Sequence, residues 1–248
     1  MSQNFTTPQG RRIAYDLTEG AGPGVVFVGG FKSDRQGTKA LHLQDWSQAQ
    51  GRAFLRFDYS GHGDSSGVFE DGCIGDWAAD ALAAIETLTN GPQILVGSSM
   101  GGWIALLVAR ARPDLVAGLV GIAAAPDFTE DSIWARLDAA GRAALERDGR
   151  IEEPSDYGPD PYVYTRRLIE DGRDQLVLRT PLPLPFPVRL LQGTADADVD
   201  QSVALRLLDH ATGDDIRLTL VKGADHRFSS PAQLLLIEAA VAEVIAAA

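Results

Sequence analysis

The sequence predicts an α/β fold with a mostly parallel central sheet, on three observations. Short apolar runs recur along the whole chain, a glycine-rich turn follows most of them, and helical patterns fill the intervals. The runs at 25–28, 54–57, 94–96, 119–122, 188–191 and 216–221 lack polar alternation, as strands covered on both faces do. Between them, Ile74, Trp77, Ala81, Ile85 and Leu88 fall on one helical stripe, which Asn90, Gly91 and Pro92 close. Residues 103–109 are apolar all round and predict a helix buried on most sides. A first helical stretch carries His42, another ends at His210, and the last segment, from Ala232, repeats the amphipathic pattern.

Residues 127–187 break this rhythm. Charge and aromatic side chains (Trp134, Tyr157, Tyr162, Tyr164) concentrate there, and no clear strand is visible. The stretch ends in prolines at alternate positions from Pro181 to Pro187, which donate no ladder bonds and favour an extended form. The expectation is one domain over 1–248 with a helical cap inserted at 127–187 and a stiff return strap.

Composition removes several function classes. A chain of 248 residues buries roughly 70% of its unfolded surface, so the core needs no staple. With 45% apolar and 23% charged residues, wholesale disorder is excluded. A net charge of −12 repels phosphate backbones, so no nucleic-acid partner is expected. The single Cys73 cannot make an internal disulfide or a thiolate zinc site, and neither a metal nor an organic cofactor is implied. The N-terminus shows neither a secretory apolar core nor a transit-peptide composition, and no run reaches the ~20 apolar residues of a membrane span. A soluble, cytoplasmic protein is expected.

The strongest chemical signal is Gly97-Ser98-Ser99-Met100-Gly101, a G-x-S-x-G motif between an apolar strand and an apolar helix. A sharp turn there exposes Ser99 beside a helix N-terminus, where developing negative charge is favoured. A serine hydroxyl needs a base. Of the four histidines, His42 comes too early, His62 reads as a packing residue near the pocket wall, and His210 complements a helix end. His226 follows the final strand, on the sheet edge where Ser99 emerges. Asp196 comes first past the Gly193 turn and suits the acid that orients the imidazole. Asp198 and Asp200 suit the next helix start, Asp225 should point elsewhere, and Asp127 is the rival acid. The N–H groups of Met100 and Phe31, the latter after Gly29-Gly30, suit an oxyanion hole. Lys32 and Arg35 in the same loop read as solvated charge. Trp103, Trp134 and Tyr162 are the expected pocket aromatics.

Further blocks carry a resemblance. Gly30-Phe31-Lys32-Ser33-Asp34, Gly37-Thr38-Lys39-Ala40, Arg56-Phe57-Asp58-Tyr59-Ser60-Gly61, the stretch 91–103, Val188-Arg189-Leu190-Leu191 and Asp225-His226-Arg227 resemble the α/β-hydrolase superfamily. The similar branch contains palmitoyl-protein thioesterases that also act on acyl-glucuronides. The resemblance implies a serine hydrolase with Ser99 as nucleophile, Asp196 as acid, His226 as base, and Phe31 and Met100 at the oxyanion site. It implies small-molecule or acyl-protein esters and thioesters as substrates. A small-ester carboxylesterase, a carbon–carbon bond hydrolase and a perhydrolase are the alternatives.

Overall fold

The protein is described by a computed structural model that covers residues 3–154 and 161–248. Tyr157, one of the expected cap aromatics, lies outside the described residues. The chain opens with two strands that the apolar-run pattern does not predict, β1 (Gln3–Thr6) and β2 (Arg12–Thr18). The predicted runs then supply β3 (Ala21–Val28), β4 (Arg52–Phe57), β5 (Gln93–Ser98) and β6 (Val116–Ile122). Two short strands, β7 (Arg150–Glu153) and β8 (Tyr162–Thr165), precede the last two predicted runs, β9 (Val188–Gly193) and β10 (Ile216–Val221). The main sheet has eight strands in the order β1-β2-β4-β3-β5-β6-β9-β10. Six of them, from β4 to β10, run parallel, whereas β1 and β2 add an antiparallel edge.

Each face of this sheet has its own core. Val26, Val28, Leu55 and Leu95 pack with α2 (Ile74–Leu88) and α3 (Met100–Ala111). Their alternates Val25, Phe27, Phe54 and Ile94 pack with α1 (Thr38–Ala49) and α7 (Pro231–Ala247). The period of two along each strand assigns successive side chains to opposite layers. Trp77 and Trp103 are fully buried in the first layer. Truncating either to alanine should cost about 3–5 kcal/mol.

The segment between β6 and β9 holds a π-helical turn at Thr129–Trp134, then α4 (Ala139–Asp148), the antiparallel pair β7 and β8, and α5 (Arg166–Asp174). The expectation of no strand here is thus corrected. Each strand has four residues, and only Ile151 is apolar in β7, too little for a period-two signal. Asp127 ties the two ends of the segment together. Its backbone is left-handed at φ 59°, and its buried carboxylate accepts from the Val177 and Leu178 N–H groups at 2.8 and 3.1 Å and from Arg179 at 2.6 Å. The return strap is extended, as the prolines predict. Leu182, Leu184 and Phe186 are buried while Pro181, Pro183 and Pro185 are exposed. Leu184 N–H donates to Thr212 O at 2.7 Å and Thr212 N–H to Leu182 O at 3.0 Å, so the prolines sit where no donor is needed. After β9, α6 (Gln201–His210) leads to the edge strand β10. Among the described residues no helix is long and apolar enough to cross a membrane.

Candidate active site

Ser99 sits between the last residue of β5 and the first of α3, with φ 55° and ψ −121°. A non-glycine residue in that region costs about 1–3 kcal/mol and persists only when its surroundings impose it. Here Ser99 N–H donates to Ile122 O at 2.9 Å, and Ser99 O accepts from the Gly102 and Ala125 N–H groups. The turn is also sterically closed. A Cβ on Gly101 would lie 2.0 Å from Val28 O, and one on Gly97 would lie 2.4 Å from Gly101 O. The two glycines of the motif are therefore required by the crossing of helix and strand.

The loops after β9 and β10 bring Asp196 and His226 to this serine. His226 Nε2 lies 3.1 Å from Ser99 Oγ, and His226 Nδ1 lies 2.9 Å from Asp196 Oδ2. A carboxylate accepts, so Nδ1 carries the proton and Nε2 is left to accept from the serine hydroxyl. The Asp196 side chain is fully buried, while the ring of His226 keeps 17% exposure toward the cleft. Burial alone would raise the Asp196 carboxyl. Hydrogen bonds from His226 and from the Val199 and Asp198 N–H groups outweigh it and hold the carboxyl below its usual range. The other acids are engaged elsewhere: Asp200 caps α6, Asp225 accepts from Phe228 N–H, and Asp127 holds the inserted segment. His42 lies on α1, and His210 faces the Val177 and Thr180 carbonyls from the end of α6. His62 is buried against the loop that carries Phe31, near the expected pocket wall.

Met100 opens α3, so its N–H has no intrahelical acceptor. Phe31 N–H makes no backbone hydrogen bond among the described residues. Both residues line the cleft beside Ser99, and a Cβ on Gly30 would stand 3.5 Å from Ser99 Cβ. The Phe31 ring is a hub, with ring centres of Phe69, Trp77, Phe128, Tyr162 and Tyr164 all within 4.9–5.9 Å. It joins the sheet-borne loop to strand β8.

The cleft encloses about 650 Å³. Phe128, Ile133, Tyr162 and Tyr164 from the inserted segment face it, together with the ion-paired Arg136 and Glu153. Of the three expected pocket aromatics only Tyr162 lines it. Trp103 turns into the core, where its Nε1–H donates to Gln175 O at 3.2 Å. Trp134 carries the guanidinium groups of Arg142 and Arg173 over its ring, 4.8 and 4.5 Å from its centre. Arg35 also departs from expectation. It is buried and bonded to Asp16, Asp58 and Asp64, because the loop after β3 folds down onto the turn after β4. Lys39, to which the sequence assigns no role, reaches the cleft from α1, and burial pushes its ammonium down to about 8 despite the nearby Asp225. Phe128 and Ile133 also went unpredicted, since which face of a π-helical turn looks inward is set by tertiary packing.

A model of the alpha/beta hydrolase family matches residues 25–247. The mitochondrial palmitoyl-protein thioesterase ABHD10 of Bos taurus is 35% identical over 242 residues, 97% of this chain and 79% of that protein. A crystal structure of a putative hydrolase from Agrobacterium vitis S4 superposes with a TM-score of 0.95 at 42% identity, over 99% of this chain and 98% of the other. Alpha/beta hydrolase domain-containing protein 10 from mouse superposes with a TM-score of 0.92 at 32% identity, over 99% and 98% of the two chains. These relatives overturn one expectation. The bovine thioesterase and its human, orangutan, rat and mouse counterparts are mitochondrial proteins, which points away from a cytoplasmic location.

Proposed function

This chain belongs to the alpha/beta hydrolase family, and on that premise we propose that it is a serine hydrolase that cleaves carboxylic esters or thioesters through an acyl-enzyme on Ser99. The observation that carries the proposal is the hydrogen-bonded row Ser99–His226–Asp196. His226 Nε2 takes the hydroxyl proton as Oγ bonds to the acyl carbon, and buried Asp196 stabilises the imidazolium. The carbonyl oxygen, now negative, rests on the Phe31 and Met100 N–H groups. Collapse of the tetrahedral intermediate breaks the bond to the leaving oxygen or sulfur, which receives the proton from His226. Water repeats the sequence in deacylation.

Residues 127–187 act as a cap over this site. The aromatic lining of the cleft suits an acyl chain, and the thioesterase relatives support a thioester with a long acyl group. Each buried methylene contributes about 0.8 kcal/mol, so kcat/KM should climb severalfold per two carbons until the cleft is full. p-Nitrophenyl esters and acyl thioesters from C2 to C16 test this, and a steady decline from C2 would leave a small-ester hydrolase. The decisive variant is Ser99→Ala. It should lose activity by a factor on the order of 10⁴–10⁶ and lose labelling by a fluorophosphonate probe. Labelling retained in the variant would move the nucleophile elsewhere.

A further inference from the structure

The donor assigned to Phe31 is a backbone group, so its aim depends on the peptide that carries it. In a trans peptide the Phe31 N–H is antiparallel to the Gly30 carbonyl. That carbonyl is held from two sides by one residue: Ser33 N–H donates to Gly30 O at 3.3 Å, and Ser33 Oγ donates to the same oxygen at 2.8 Å. Residues 30–33 thus form a closed turn. Lys32, its third residue, has φ 58°, while Phe31 does not have a positive φ, which makes the turn type II.

Type II favours glycine at the third position, and a lysine there costs about 1–2 kcal/mol. The compensation comes from His62. Its Nε2 accepts from Lys32 N–H at 3.3 Å, and its Nδ1 faces Ser60 O at 3.2 Å. A peptide N–H only donates and a carbonyl only accepts, so the two partners admit only the neutral ring protonated at Nδ1. Burial lowers the affinity of this ring for a second proton, in keeping with that form. The anchor is firm, because Ser60 N–H and Oγ both donate to the fully buried Asp80, at 2.9 and 2.6 Å. The Tyr59 hydroxyl holds the start of the loop by donating to Gly29 O at 2.9 Å. With the peptides on both sides fixed to the turn after β4, the remaining freedom at the Gly30–Phe31 amide is its tilt, and Ser33 Oγ bears on that.

We propose that Ser33 is a positioning residue for the oxyanion site, its hydroxyl holding and polarising the Gly30–Phe31 amide so that the Phe31 N–H meets the developing charge. A hydrogen bond to the carbonyl of an amide strengthens the N–H of the same amide as a donor. The inference rests on the serine-hydrolase reading above.

The test compares wild type, Ser33→Ala and Ser33→Thr. Ser33 is exposed, and its backbone turn bond survives both changes, so folding should be kept. We expect Ser33→Ala to lower kcat about fivefold to tenfold with KM within about twofold, the size of one neutral hydrogen bond. A trifluoromethyl ketone, which adds to Ser99 and places an oxyanion in the site, should lose affinity by the same factor. Ser33→Thr, which keeps the hydroxyl, should recover most of both losses. The proposal is overturned if kcat stays within 1.5-fold, about the error of such a comparison. It is equally overturned if kcat falls while the ketone binds unchanged, or if the loss is entirely in KM, which would mark Ser33 as a substrate contact. Failure of the underlying reading looks different, since Ser99→Ala would then remain active and the ketone would not attach to Ser99 in any variant.

Discussion

Two corners of the sheet carry a buried aspartate just beyond a parallel strand, Asp127 after β6 and Asp196 after β9. Both side chains are completely shielded, and the two strands are neighbours. Asp196 uses one oxygen on the Asp198 and Val199 N–H groups of its own loop and leaves the other to Gln192 and the His226 ring. Asp127 commits both oxygens to fixed donors some fifty positions away, the Val177 and Leu178 N–H groups and the Arg179 guanidinium. The difference teaches that burial and strand position alone do not hand a carboxylate to a histidine. The donor that its second oxygen meets decides: a ring that can move a proton in one corner, an architectural clamp in the other.

Substitution of each carboxylate by its amide should separate the two corners. Asp196→Asn should lower kcat by a factor on the order of 10⁴, because the amide enforces the wrong tautomer of His226 and cannot stabilise its charged form. Asp127→Asn should leave the proton path intact and instead lower stability by about 3 kcal/mol, a drop in Tm of roughly 6–12 °C for a chain of this size. Steady-state kinetics and a thermal melt on both variants would check the pair, and a crippled Asp127→Asn enzyme with an unchanged melt would reverse the two roles. A smaller effect is expected from Arg179→Ala. Asp127 keeps its two N–H donors there, so about 1.5 kcal/mol should be lost, with kcat little changed.

The weakest effect concerns acid. The Asp196 carboxyl is held below its usual range in the fold. Its contribution to stability is therefore complete above the unfolded value of about 3.9 and disappears as pH falls through the lower folded value. The difference in Tm between wild type and Asp196→Asn should stay constant from pH 7 to about pH 5 and shrink only below about pH 4. A difference that shrinks between pH 7 and 5 would show that Asp196 titrates with a raised value, as an unpaired buried carboxyl does.

The legible part of this molecule was the part governed by local pattern. Apolar runs predict the six parallel strands because both faces of β3, β4, β5, β6 and β9 are largely covered, whereas β10 is a partly exposed edge. Ser99, Asp196 and His226 each follow a particular strand, and the structure brings His226 within hydrogen-bond distance of both others. What escaped depended on contacts distant in sequence. β1 and β2 form an edge with mixed exposure, so their pattern is weak. Trp103 and Trp134 have the composition of pocket walls, yet one packs inward and the other is taken by two arginines. Arg35 looked like solvated charge because its partners Asp16, Asp58 and Asp64 lie in two other segments. Nothing in the order Gly30-Phe31-Lys32-Ser33 reveals that the ring of Phe31 would gather five aromatic neighbours from both sides of the cleft.

The return strap has a consequence for how such a molecule can change over generations. Its outward prolines have fixed φ and offer no N–H, and its inward Leu182, Leu184 and Phe186 are locked into the core. Such a strut fixes where β9 begins, whatever length of chain comes before it. Insertions and deletions upstream, around α4 and the β7–β8 pair, can therefore remodel the roof of the cleft while the corner that carries Asp196 stays in register. The strap works as a fixed abutment, against which the segment before it can be rebuilt without moving the strand after it.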